Sequence, residues 1–530
     1  MPPNDSLRRA FLKRAGAGFA GSALALNAQT EPEMKASLPG RGPTFGVRNF
    51  GAAGDGRTLD TAAINKAIEA AAAAGGGTVF LPAGNYLCHS IHLRSNVALH
   101  LDSGATIVAA DANAGAGYDL AEPNPWDQYQ DFGHSHWHNS LIWGEGLENV
   151  AIGGAGRIWG KGLSRGWSEG PRAEDPGVGN KAISLKNCHN VVLRDFSILH
   201  GGHFGVLATG VDNLTIDSLW IDTNRDGIDV DCCHNVRISN CSVNSPWYDG
   251  ICLKSSFGLG WARPTESVTI ANCCVSGCFE EGTMLEGTYK RFAADARVPQ
   301  HGRIKFGTES NGGFRNITVS NCVFEGCQGL ALESVDGAQL EDVTITNIAM
   351  RDIASAPIFL RLGARMRGPA GAPVGTLKRV IISNVVCANA ASAFGSIISG
   401  IPGHAIEDVR FSNIYIQHRG GGTREQAGTQ PEEKEGAYPE PDMFGPMPSW
   451  GFYVRHARGI QLDNVELSVE TEDQRPAFVL TDVEDAGFSR VRTPRSAAST
   501  FALREVSDLE IRMCRPAPDT HLQHAERASI

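Results

Sequence analysis

A short phrase recurs along this chain and limits what it can fold into. It reads NVVLRDFSI from Asn190, NLTIDSLWI from Asn213, NVRISNCSV from Asn235, SVTIANCCV from Ser267 and NITVSNCVF from Asn316. Later copies are DVTITNIAM from Asp342, RVIISNVVC from Arg379 and DVRFSNIYI from Asp408. Weaker ones are GIQLDNVEL from Gly459, NVALHLDSG from Asn96 and NVAIGGAGR from Asn149. Each is an alternating run of β-branched residues broken by Asn, Asp or Gly, so every second side chain faces the same way. The cleanest spacings are 23 residues, from Asn190 to Asn213, and 22, from Asn213 to Asn235. A period near 22 with several short strands per repeat predicts an all-β right-handed parallel β-helix, a solenoid in which one coil buries its apolar face only by stacking on the next. A leucine-rich repeat lacks its leucine framework here, and a β-propeller needs a longer period. The recurring Asn suits a turn whose side chains hydrogen-bond up and down the stack.

The ends of a solenoid need covering. The run TAAINKAIEAAAAA (residues 61–74) predicts an N-terminal capping helix, with Asp60 as N-cap and Gly75, Gly76 and Gly77 as its stop. Residues 419–448, rich in Gly, Pro and Glu, read as a long loop insertion, because another repeat follows. Either a disordered insert or a lid over a groove fits that composition. Residues 1–28 carry Arg8-Arg9, then a mildly apolar Ala/Gly stretch, the order of a twin-arginine-type export signal. The expected organisation is therefore a signal at 1–28 and one β-helix catalytic domain over 44–515, with the product periplasmic or secreted.

Composition closes off other classes. The net charge of −11 argues against a general nucleic-acid binder. No later apolar run approaches the ~20 residues that span a bilayer, so no stable membrane insertion is expected, and a monomer is. The 13 cysteines include no CxxC pair. Asn187-Cys188, Asn240-Cys241, Asn272-Cys273 and Asn321-Cys322 share one local context, which suggests small buried residues stacked at equivalent points of the repeat.

Residues one period apart stack in such a fold. Asp226, in NTNRDGIDVD, and Asp249, in SPWYDGICLKS, are 23 apart and should lie on neighbouring coils. Two acids there can flank one bond, one as proton donor and one as base on a water. Solvated turn aspartates, common in solenoids, are the plain alternative. His134, His136 and His138 (HSHWH) alternate, so an extended strand would put all three on one face as metal ligands. Trp247 and Trp261 flank the acid-bearing coil and could stack on sugars.

The opening FGVRNFGAAGDGRTLDTAAINKAIEAAAAAGGGTVFLPAGNYL resembles the start of pectin-degrading β-helix proteins. The run from Asn190 to Gly329 resembles glycoside hydrolase family 28, the polygalacturonases and rhamnogalacturonases. The resemblance implies an inverting hydrolase of pectin-type poly- or oligosaccharide, containing galacturonate or rhamnose, without metal or cofactor. It makes Asp249 the general acid and Asp226 the main base, with Asp229 in reserve. Tyr248 replaces the first Asp of the family's Asp-Asp pair, and His301-Gly302 matches the end of its Gly-His-Gly motif. The family's Arg-Ile-Lys, which holds a galacturonate carboxylate, aligns best with Ala331 and Glu333, so the literal Arg303-Ile304-Lys305 reads as a chance occurrence. Expected catalytic residues are thus Asp226, Asp249 and His301. Expected substrate-binding residues are Asp229, Trp247, Tyr248, Lys254, Lys305 and Arg361. A polysaccharide lyase with Ca²⁺ at Asp226, Asp229 and Asp231 is a second reading on the same fold. A non-catalytic carbohydrate-binding β-helix is a third.

Overall fold

The computed structural model describes residues 42–530 apart from 113–116, 131, 166–171, 173, 294–295 and 497. The expected export signal lies outside the described residues. The repeats form parallel strands stacked coil on coil in one 34-stranded sheet system. One face runs from Phe204–Thr209 through Asp226–Asp231, Ile251–Ser255, Ile304–Ser310, Leu330–Ser334, Ile358–Leu362 and Ser396–Ser399 to Phe452–Thr471. A second face carries His189–Arg194, Asp212–Asp217, His234–Ser239 and Thr265–Ala271. From Phe314–Glu325 onward, the second and third strands of a coil fuse into one long bent strand. The inward residues are Val, Ile and Leu such as Ile228, Val230, Leu253 and Leu332, all fully buried.

The corners explain the recurring asparagine. Asn96, Asn149, Asn190, Asn213 and Asn235 all have φ between 56° and 64°, a left-handed conformation that Asn tolerates better than most residues. Their amides form a ladder: Asn235 donates to Asn213 at 2.6 Å, Asn213 to Asn190 at 2.9 Å, and Asn190 to Asn149 at 3.0 Å. A second ladder joins Asn240, Asn272, Asn321, Asn347 and Asn384. The cysteine context therefore belongs to two corners rather than one. Cys241, Cys273 and Cys322 follow the second ladder, whereas Cys188 shares its corner with Cys233. All 13 thiols are unpaired, and all except Cys274 are buried.

The capping helix spans Thr61–Ala73 and buries Ala63, Ile64, Ala67, Ile68 and Ala71 on the end of the stack. Asp60 does not cap it with its side chain. Its carboxylate instead accepts from the Ala53 and Gly54 amides at 2.7 and 2.9 Å, tying down the preceding loop. Gly76 is required by space, since a Cβ there would lie 2.6 Å from the Asn96 carbonyl. At the other end, Thr520–Ser529 runs antiparallel to Phe501–Arg512 and covers an edge that would otherwise be open.

The long insertion leaves the strand Ile406–Gly420 and makes one helical turn, Arg424–Ala427, closed by a capping box from Thr423 and Gln426. A 3₁₀ turn, Pro441–Phe444, follows. Phe444 and Met447 bury themselves against Ala331, Phe359, Ile397 and Tyr453, outward residues of the long parallel face. That apolar anchor pins the insertion over the coils carrying Lys305 and Glu333.

Candidate active site

Strand alternation builds the site. With Ile228, Leu253, Ile304 and Leu332 pointing inward, Asp229, Lys254, Arg303, Lys305 and Glu333 point outward. Asp226 and Asp249 lie on adjacent coils, as their spacing requires: the Asp249 amide donates to Asp226 Oδ1 at 3.0 Å. The outward face is polar yet covered, for Asp226 is 2% exposed and Asp249 4%.

Arg303 and Lys305 correct the reading of Arg303-Ile304-Lys305 as a chance occurrence. Arg303 Nε donates to Asp249 Oδ1 at 2.9 Å, and Lys305 Nζ lies 3.5 Å from Asp249 Oδ2. Lys305 also sits in strand register with Ala331, one coil before it. Alignment missed this because it follows chain order, whereas register decides which coil supplies the charge.

Burial alone would raise the Asp249 carboxyl, but Lys305, Arg303, His301 and Lys254 overcome it and hold Asp249 far below the usual carboxylate range. Asp226 and Asp229 move the other way. Burial raises both, and each is further raised by a neighbouring carboxylate, Asp249 for Asp226 and Asp226 for Asp229. Lys254 opposes the rise without cancelling it: its Nζ is 3.7 Å from Asp229, beyond hydrogen-bond reach, and 3.1 Å from Glu309. The two stacked acids are thus shifted in opposite directions, Asp249 toward the ionised form and the Asp226–Asp229 pair toward the protonated one.

The other expected residues divide. Asp229 is fully buried, 3.7 Å from Lys254. Lys254 is likewise held by Glu309. Arg361 is corrected outright: its guanidinium donates to Ser399 Oγ at 2.9 Å and to the Gly400, Glu433 and Lys434 carbonyls, so it fastens the insertion. His301 stays at the rim, edge-on to the Tyr248 ring at 5.9 Å, and Arg225 stacks over Tyr248 at 4.2 Å. Trp247 is half-buried on the same rim, whereas Trp261 is 54% exposed beside Arg263. Asp231 is bonded by the Ser256 amide and hydroxyl at 2.7 and 2.6 Å, leaving no Ca²⁺ cluster with Asp226 and Asp229. The HSHWH histidines do not share a face. His134 pairs with Glu309, His136 with Asp127, and His138 with Glu145.

Sequence reasoning missed Glu440, Glu309, His203 and Tyr438. Glu440, one residue before the Pro441–Phe444 turn, ion-pairs with Arg303 and lies 3.4 Å from Lys305. Tyr438 is half-exposed, with Lys305 Nζ 5.4 Å from its ring centre. Only the Gly/Pro/Glu composition of the insertion pointed there, through the possibility of a lid.

Glu333 has no hydrogen-bond partner for either carboxylate oxygen, and Lys305 stands 3.5 Å away. Burial pushes its carboxyl up to about 8. A folded-state value above the ordinary one means stability that is full at acid pH and declines as pH rises through about 8. Glu333→Gln should remove that decline, stabilising the protein relative to wild type above pH 8 by on the order of a few kcal/mol. Melting curves from pH 5 to 9 check this; parallel Tm profiles for the two proteins would contradict it.

Comparisons with known proteins agree with this fold. A family model for rhamnogalacturonase A/epimerase, pectate lyase-like proteins matches residues 44–189, and one for right-handed β-helix regions matches 148–260 and 181–360. A probable polygalacturonase of Vitis vinifera is 25% identical over 289 residues, 52% of this chain and 53% of that protein, so the chain spans about half that relative's length. Among solved structures, a family 28 exopolygalacturonase of Yersinia enterocolitica matches with a TM-score of 0.61 at 20% identity, over 89% of this chain and 79% of that one. An exopolygalacturonase of Thermotoga maritima gives 0.55 at 16%, over 93% and 95%. At such identities the structures speak for the fold, a right-handed parallel β-helix, and the sequence matches make the chain similar to polygalacturonases over about half its length.

Proposed function

We propose that this protein is a glycosidase acting on pectin-type poly- or oligosaccharide by inverting acid/base hydrolysis. The observation that carries the reading is the stacking of Asp226 and Asp249 on adjacent coils, with their carboxyls shifted in opposite directions. One carboxyl group protonates the oxygen of the breaking glycosidic bond while the other takes a proton from a water attacking the anomeric carbon, so one water is consumed and the stereochemistry inverts. The family resemblance gives proton donation to Asp249. The charges differ from that assignment: Arg303 and Lys305 keep Asp249 ionised while weakening it as a base, and burial shifts the Asp226–Asp229 pair toward the protonated form. His301, Trp247, Tyr248 and Tyr438 line the rim where a sugar can stack.

The sugar facing Arg303 and Lys305 carries no free carboxylate while Glu440 occupies those cations. This favours rhamnose-containing or otherwise neutral substrate positions over plain polygalacturonate. The Arg8-Arg9 opening supports export, and with it work outside the cytoplasm.

The test is to incubate the purified protein with homogalacturonan, rhamnogalacturonan and their oligosaccharides and follow both reducing ends and ultraviolet absorbance. New reducing ends without absorbance support hydrolysis. Absorbing unsaturated ends would replace it with a lyase, and the absence of any product would leave a binding protein.

A further inference from the structure

We propose that His134, His203 and Asp226 form a binding site for a divalent transition metal of the zinc class. Each offers one ligand atom, and these three atoms lie within 4.8 Å of one another. All three residues are buried, His134 at 6% and His203 at 7% exposure. They converge from separate parts of the chain. His134 ends the 3₁₀ turn Phe132–His134, and His203 immediately precedes the strand Phe204–Thr209. Asp226 stacks in register on Phe204 one coil later.

Two independent features point to a ligand. First, His134 Nδ1 is 3.0 Å from Glu309 Oε1, and Glu309 is ion-paired with Lys254 and Arg367 at 3.1 and 2.7 Å. A carboxylate on one ring nitrogen fixes the tautomer with its proton there and leaves the other nitrogen as a lone pair, the arrangement that orients metal-binding histidines. The Nε2 so presented is buried and has no hydrogen-bond partner. Second, room for His203 is built in. Its ring stacks flat on Phe204, with centres 4.3 Å apart, and a Cβ at Gly133 would strike its Nδ1 at 2.6 Å.

Two imidazoles and one carboxylate suit Zn²⁺, Co²⁺ or Ni²⁺, whereas Ca²⁺ and Mg²⁺ prefer oxygen ligands. The lining also differs from the face expected of HSHWH: His134 alone of that trio takes part, and its partners are distant in sequence. Ligation needs the Asp226 carboxylate deprotonated, so a bound ion and proton donation by Asp226 exclude one another, and the binding test below is read independently of hydrolysis.

The experiment uses the full chain, stripped with a chelator and dialysed. Calorimetric titration with Zn²⁺ should show saturable uptake of one equivalent, and Mg²⁺ none. Co²⁺ should give a visible ligand-field absorption band. His203→Ala and Asp226→Asn should each weaken Zn²⁺ binding at least about tenfold, and Glu309→Gln should weaken it by about 10- to 100-fold through the His134 ring. Unchanged circular dichroism and Tm in the stripped variants keep these losses attributable to the site. No saturable uptake by the wild-type protein would overturn the proposal. So would uptake unaffected by both His203→Ala and Asp226→Asn, which would place the ion on exposed histidines such as His521 and His524.

Discussion

Asp249→Asn should lower turnover by about 10²- to 10⁴-fold on a pectic oligosaccharide while leaving the circular dichroism unchanged. The amide can neither take a proton from water nor give one to a leaving oxygen, so the loss is large under either assignment of roles. Glu440 and Gln328 still bond Arg303 in the variant, which preserves the packing. Asp226→Asn should be nearly as damaging on the same substrate. The two variants separate on an aryl glycoside with a good leaving group, which needs little protonation. If Asp249 is the base, its variant stays inactive there and the Asp226 variant recovers most of its rate. The opposite pattern would return proton donation to Asp249. Near-full turnover of Asp249→Asn on every substrate would remove it from the chemistry altogether.

Glu440→Gln should raise activity on unsubstituted polygalacturonate, chiefly through a lower KM. In the wild-type protein the Glu440 carboxylate occupies the two cations where a galacturonate carboxylate would dock. Its own second oxygen, Oε2, is buried without a hydrogen-bond partner, so the insertion holds a carboxylate at some cost in desolvation. Burial alone would raise Glu440, but Arg303, Lys305 and His301 hold it below the ordinary value, so it remains charged at neutral pH and competes with substrate. A charge-assisted hydrogen bond contributes about 1.5–3 kcal/mol, so freeing the cations should improve apparent affinity by roughly 10- to 100-fold. The loop stays anchored through Phe444 and Met447, which the substitution does not touch. Steady-state kinetics on polygalacturonate against a rhamnose-containing oligosaccharide decide the matter. Efficient cleavage of polygalacturonate by the wild-type protein, or equal loss on both substrates in the variant, would show that Glu440 does not select against the acidic sugar.

The repeat determined the architecture because local alternation and a fixed corner residue repeat the same demand in every coil. Val, Ile and Leu at every second position bury one face wherever the chain places them, and Asn at φ near 57° closes the corner with its own kind above and below. The same periodicity put Asp226 beside Asp249, since a separation of one period becomes a neighbour contact by construction. Charge states were not legible in this way. They depend on how many opposite charges reach a buried carboxylate, and those come from other coils and from the insertion: Lys305 and Arg303 to Asp249, Glu440 to both cations, and His134 to Glu309. Arg361, an apparent carboxylate binder by type, is consumed by four acceptors around its guanidinium, the Glu433 and Lys434 carbonyls of the insertion and Ser399 and Gly400 of the coil. Sequence thus settled what stacks on what, through interactions that recur every coil. Tertiary structure alone decided which way each buried carboxyl is shifted, through electrostatic contacts that occur once.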